Sequence, residues 1–173
     1  AFLDANGDGY PDLYVVSGGN QFLDGSPQLA DHFYLNDGKG NFTNIIDKKA
    51  FKLNTTGMIT DAVWEDVDND SKKDLIVVGD WMAPQVFKNT GRRLAVFKSN
   101  LTSYSGFWNS VNCVDLNNDG KKDFILGNKG TNTAYKASVE KPMKLFTNDF
   151  DSNGTIEQIT TCSIEGKDMP IHL

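Results

Sequence analysis

Histidine is nearly missing from this chain: His32 and His172 are the two in 173 residues. No Ser-His-Asp or Cys-His arrangement can be assembled from so little, and both read as structural or solvent-facing. Cysteine is as sparse. Cys113 and Cys162 lie in different strand-like flanks, which favours two buried free thiols over a disulfide. No apolar run is long enough to cross a bilayer. No Gly-rich phosphate loop precedes a helix, and helical periodicity of useful length is lacking throughout. Basic residues such as Lys48-Lys49, Arg92-Arg93 and Lys121-Lys122 are isolated pairs, which leave no electrostatic footprint for nucleic acid. Catalysis, membrane spanning and nucleic-acid binding therefore find no support in the residues.

What the chain has is oxygen. A nine-residue pattern with Asp, Asn or Glu at positions 1, 3, 5 and 9 occurs four times. It runs through Asp4, Asn6, Asp8 and Asp12; Asp66, Asp68, Asp70 and Asp74; Asp115, Asn117, Asp119 and Asp123; and Asp149, Asp151, Asn153 and Glu157. A hard cation such as Ca²⁺ wants this many oxygen ligands close together. An EF-hand would close with an acid at position 12, but that position holds Val15, Val77, Leu126 and Thr160. Position 9 is the closing acid instead. Position 7 varies freely (Tyr10, Lys72, Lys121, Thr155), as suits a ligand supplied by the backbone carbonyl. Position 6 is Gly9, Gly120 and Gly154, with Ser71 as the exception; glycine tolerates a left-handed backbone there at little cost. The plain alternative is ordinary turns, where Asp, Asn and Gly are common.

Short apolar runs follow three of the loops: Leu13 to Val16, Leu75 to Val78 and Phe124 to Leu126. β-Branched, brief and stopped by Gly or Ser, they predict strands buried on both faces. Ala62 to Glu65 and Val111 to Val114 precede two loops as partner strands. Each unit is thus a β-hairpin with a metal loop at its tip. Between them, Tyr34-Leu-Asn36-Asp-Gly38, Phe87-Lys-Asn89-Thr-Gly91 and Phe146-Thr-Asn148-Asp149 each end a strand in a turn. Alternation of the two hairpin types is the rhythm of a four-stranded propeller blade. The fourth loop follows the third closely, so it is expected at a different place in its blade.

The loops, the segment Tyr34-Leu-Asn-Asp-Gly-Lys-Gly-Asn-Phe42 and Gly106-Phe-Trp-Asn-Ser110 together resemble FG-GAP/VCBS repeats of integrin-α-type β-propellers. Within these, the chain is similar to the ASPIC/UnbV and cartilage acidic protein group. The resemblance implies that calcium loops staple the blades and that partners bind on other loops. The expected fold is all-β: propeller blades of a partial propeller, about three to four repeats, with calcium-binding hairpin loops. The repeats divide as 1–57, 58–105, 106–142 and 143–173, read as an excerpt of a larger ring.

Three to four Ca²⁺ ions are expected. The loops hold thirteen of the 23 acidic residues, so the formal charge of −6 reflects metal sites and not a basic partner. Extracellular modules bind calcium at roughly 10⁻⁴ to 10⁻³ M, which places the chain outside the cell or on its surface. The expected role is adhesion or binding of a protein or glycan, with a non-catalytic scaffold in a larger secreted enzyme, or a plain spacer, as alternatives. The irregular stretch from Ser17 to Asp31 is the candidate partner surface. Trp64, Trp81 and Trp108 are expected to pack between blades, with sugar stacking the alternative. Asn41, Asn54, Asn100 and Asn153 head Asn-x-Thr sequons, relevant only in a glycosylating host.

Overall fold

The computed structural model describes residues 1–19, 21–23, 25–46, 57–91, 93–130, 133 and 136–171. Its first sheet is a four-stranded antiparallel meander of β1 (Phe2–Leu3), β2 (Asp12–Val15), β3 (His32–Asn36) and β4 (Phe42–Asn44). A second meander repeats the plan with β5 (Met58–Glu65), β6 (Asp74–Met82), β7 (Gln85–Asn89) and β8 (Leu94–Phe97). The hairpin of β9 (Gly106–Val114) and β10 (Asp123–Asn128) joins that sheet, because the start of β9 pairs with the end of β6. A last meander contains β11 (Met143–Asn148), β12 (Glu157–Ile164) and β13 (Lys167–Pro170). The fold is all-β, and among the described residues no sheet closes into a barrel. The helical elements bounded by described residues are two 3-10 turns, Pro27–Leu29 and Asn100–Ser103.

β6 is the centre of the molecule. Leu75, Ile76, Val77 and Val78 are all 0% exposed. Because side chains alternate along a strand, Leu75 and Val77 point one way, into a cluster with Tyr14, Phe33, Ile59, Trp64 and Phe87. Ile76 and Val78 point the other way, toward Val111, Trp108, Phe124 and Leu126 of the next hairpin. An uninterrupted apolar run is what a strand needs when both faces are covered. Aromatic edges fill the first cluster: Tyr14 meets Phe33 and Trp64 edge-on, at 6.3 and 6.4 Å between ring centroids.

The same run does not mean the same burial elsewhere. β2 alternates buried and half-buried positions, and β10 contains no buried residue. Burial on both faces therefore holds for β6 alone of the three. What decides it is the neighbour: β6 is flanked by packed elements on both sides, whereas Ile125 of β10 stays 47% exposed. Cys113 and Cys162 are free thiols but only half-buried. Trp64 packs between sheets as expected, and Trp108 packs against the second cluster and donates its indole N–H to the Tyr104 carbonyl at 2.9 Å. His32 contacts Asn44 through Nδ1 at 3.0 Å, while His172 and Asn54 lie outside the described residues.

Candidate metal centres

All four oxygen-rich loops occupy one structural position. Each connects the first two strands of a hairpin: β1–β2, β5–β6, β9–β10 and β11–β12. The fourth loop thus sits where the others do, contrary to the spacing argument. Phe146 to Asn148 belongs to β11, the strand that leads into this loop, and not to a second turn.

The four loops share one backbone trace. Position 6 is left-handed in every case: Gly9 (φ 88°), Ser71 (67°), Gly120 (81°) and Gly154 (87°). Position 4 is left-handed too, at Gly7 (80°), Asn69 (60°), Asn118 (64°) and Ser152 (62°). Sequence reading missed position 4. Its signal was present, since Gly and Asn are the residues that enter this region most readily, with Ser152 as the outlier.

Side-chain oxygens hold the trace by capping backbone N–H groups. The position-1 carboxylate accepts from positions 5 and 6 in each loop: Asp4 from Asp8 and Gly9, Asp66 from Asp70 and Ser71, Asp115 from Asp119 and Gly120, Asp149 from Asn153 and Gly154 (2.7–3.1 Å). The position-5 oxygen accepts from position 7, at 2.9, 2.9, 2.8 and 2.7 Å for Tyr10, Lys72, Lys121 and Thr155. The position-9 acid accepts from position 2, closing the loop on itself: Asp12 from Ala5, Asp74 from Val67, Asp123 from Leu116 and Glu157 from Phe150. These donors favour the charged form. Gly9 N–H in particular holds the Asp4 carboxyl below its usual value, and Lys121 N–H does the same for Asp119.

Carboxylates gather in two of the four. One oxygen each of Asp66, Asp68 and Asp74 lies within 4.8 Å of the others, and so do those of Asp149, Asp151 and Glu157. Among the described residues these are the groups of three acids that close. In the first and third loops position 3 is Asn6 or Asn117, whose Oδ1 accepts the position-5 N–H at 3.0 Å, as Asp151 Oδ1 does in the fourth at 3.1 Å. Asp70, at position 5, turns toward lysines. An all-oxygen donor set, with Oδ1 of Asp68 buried and lacking a hydrogen-bond partner, fits a hard divalent cation such as Ca²⁺. Positions 1, 3 and 9 of loops 2 and 4 are the residues that could hold it.

In the first two meanders the loop is also tied to the turn beyond it. Asp12 Oδ1 accepts Asn36 N–H at 2.9 Å, and Asp74 Oδ1 accepts Asn89 N–H at 2.8 Å. Asn36 and Asn89 in turn cap Gly38 and Gly91, each at 2.9 Å. The position-7 side chain then lies over that glycine. A Cβ at Gly38 would fall 2.4 Å from the Tyr10 ring, where φ is also +71°, so both the turn and the contact require glycine.

Residues 4–77 and 66–126 both match the FG-GAP-like repeat family. Each match begins on the first acid of a loop, Asp4 or Asp66. The chain belongs to the FG-GAP-like repeat family. FG-GAP-like repeats form blades of β-propellers, which agrees with the two four-stranded meanders here. No curated protein and no solved structure matches the chain. Within this FG-GAP-like chain the fourth loop lies beyond the matched residues, yet it folds like the other three.

Lys88 is a second residue that sequence reading missed. Its ammonium contacts Asp68 and lies 3.4 Å from Asp70 Oδ2, and the Asp68 contact, foremost, raises its pKa. Loop 2 is the one with four acids, Asp68 standing where loops 1 and 3 have asparagine. Counting Lys88, every loop presents a net charge of −3 from positions 1, 3, 5 and 9. Nothing in the order of the chain links position 88 to position 68; pairing of β7 with β6 does.

Proposed function

We propose that this chain is a calcium-stabilised FG-GAP-like module that binds a protein or glycan ligand in an extracellular or cell-surface β-propeller. FG-GAP repeats suggest a propeller-type module, often extracellular, and among the described residues no helix is long and apolar enough to cross a membrane. The observation that carries the calcium reading is the shared trace of four loops of differing sequence, left-handed at positions 4 and 6 and capped by the same bonds from the position-1 acid. When bound, Ca²⁺ offsets the mutual repulsion of three or four carboxylates within nine residues. The protein's part is to pre-set the loop: backbone N–H groups orient the acids at positions 1, 5 and 9 before any ion arrives. Each of the segments 1–57, 58–105, 106–142 and 143–173 is read as one repeat with one ion. Adhesion fits such a module, and the likeness to the ASPIC/UnbV and cartilage acidic protein group rests on Tyr34 to Phe42 and Gly106 to Ser110. No catalytic role is assigned.

The partner surface is placed on the Ser17–Asp31 stretch. Its ends are drawn together by Asp31, which accepts the Tyr14 hydroxyl at 2.5 Å and Ser17 N–H at 2.7 Å. Phe22 and Leu23 are 41% and 42% exposed on it, as suits a contact loop on a rigid base.

Calorimetric titration of the EDTA-stripped chain with Ca²⁺, with Mg²⁺ as control, tests the metal reading. Three or four Ca²⁺-selective sites are expected. With calcium at about ten times its Kd, each adds about 1.4 kcal/mol, so four independent sites add about 5 to 6 kcal/mol, as much as a small domain's whole stability. A melting curve unchanged by EDTA would overturn the proposal.

A further inference from the structure

We propose that the groove beside Trp81 is a binding site for a neutral pyranose sugar, which deepens the ligand-binding reading above and rests on it. Where β6 pairs with β9, Asp80 is opposite Phe107 and Met82 is opposite Gly106, so Trp81 is the extra residue of a bulge. Its φ is +60°, a conformation that a bulky side chain adopts only under strain. Glycine is the residue that usually fills a left-handed bulge position, and bulges re-aim side chains beside functional sites. Here the bulge carries an indole to the wall of a groove of about 500 Å³, a size ordinary for small-ligand sites. The Phe107 ring braces it edge-on, with 4.6 Å between centroids. Packing alone explains Trp64 and Trp108, but it does not explain a strained tryptophan where glycine would serve.

The other walls mix apolar and polar groups. Phe22 and Leu29 come from the Ser17–Asp31 stretch, Asp80 from β6, and Thr147 from β11. Asp80 also lines an adjoining recess of about 130 Å³ with Thr60 and Trp81. Its Oδ1 is buried with no hydrogen-bond partner, which folded proteins seldom leave so unless something else satisfies it. Adjacent sugar hydroxyls donate to such a carboxylate, while the C–H face of a pyranose lies on an aromatic ring. Charge selects among ligands. The Asp80 carboxylate opposes an anion, while the ammonium of Lys144, which also lines the groove, is already paired with Asp168 at 2.8 Å. A polyol, whose hydroxyls donate to that carboxylate and which carries no negative charge for it to repel, is the chemistry that fits.

The test uses the calcium-loaded full chain and the methyl glycosides of glucose, galactose, mannose and N-acetylglucosamine, read by saturation-transfer NMR and tryptophan fluorescence. At least one glycoside is expected to bind. Trp81→Gly, which takes the left-handed bulge without strain, and Asp80→Asn should each weaken it about tenfold or more, or about 1.4 kcal/mol. Trp81→Tyr, which keeps an aromatic face, should retain part of the affinity. The calcium-dependent melting shift should be unchanged in all three, which separates loss of the site from loss of the fold. Glycoside binding untouched by Trp81→Gly and Asp80→Asn would overturn the groove while leaving the ligand-binding reading intact. Trp81-dependent binding of Nα-acetyl-lysine methylamide in place of any glycoside would overturn the sugar class. No binding of any glycoside would overturn the proposal outright, whereas loss of calcium binding would bring down the underlying module.

Discussion

Loop 2 and loop 4 have the same left-handed positions, the same capped acids and the same triad of carboxylates at positions 1, 3 and 9. Their surroundings are opposite. Asp74 is 0% exposed and is tied to the next turn through Asn89. Glu157 is half-buried at the base of a sheet whose strand β11 exposes every second residue, and Phe146 beside it is 43% exposed. Loop conformation is therefore a local property of nine residues, whereas the stability that a loop passes to the fold depends on what its closing acid touches.

The largest expected difference lies at position 9. Asp74→Ala strips partners from Val67 and Asn89 N–H, the latter buried, and should cost about 3 kcal/mol in chelator. Glu157→Ala frees only the exposed Phe150 N–H, which water satisfies, and should cost about 1 kcal/mol or less. Equal losses in urea unfolding would break the comparison.

Position 6 should give a smaller effect of opposite sign in the two loops. Ser71 bears a left-handed φ that glycine bears in the other three. Ser71→Gly should stabilise by about 1 kcal/mol, and Gly154→Ser should destabilise by a similar amount. Thermal melts of both variants check this. Were Ser71→Gly neutral, some compensating contact of Ser71 would have to exist.

Charge separates the loops more finely. Lys88→Met removes the ammonium that contacts Asp68 and lies near Asp70. It should lower the melting temperature in chelator and make loop 2 bind Ca²⁺ a few-fold more tightly, with loop 4 unaffected. Weaker binding would show that Lys88 positions Asp68 and does not merely balance it.

The smallest effect concerns pH in the buried half of the molecule. Burial raises the Asp31 pKa, opposed by hydrogen bonds from Tyr14 and Ser17. A carboxyl with a raised folded pKa contributes stability that is full below its unfolded value and is lost as pH rises through the folded one. Asp31→Asn should therefore flatten the decline in stability above the ordinary carboxylate range, measured in chelator so that metal binding does not intrude. A steeper decline in the variant would contradict the sign.

Much of this was legible in the chain itself. The oxygen periodicity at positions 1, 3, 5 and 9 located all four loops, and the short apolar runs located β2, β6 and β10. Both signals are local: a turn needs particular residues at fixed offsets, and a strand announces itself within five or six. Sequence spacing misplaced the fourth loop, because strand order and not residue count decides where a hairpin falls. It also overstated burial, since Leu13–Val16 and Phe124–Leu126 read like Leu75–Val78 but have different neighbours.

The sequence alone thus determined an all-β chain of repeated hairpins and the residues that shape each loop, because these depend on contacts within about nine residues. Only the tertiary structure decided which hairpin is covered on both faces, that Lys88 meets Asp68, that Asp74 reaches Asn89, and that Trp81 sits in a bulge facing a groove. Each of these depends on residues brought together by strand pairing and sheet stacking, and no spacing in the chain encodes that.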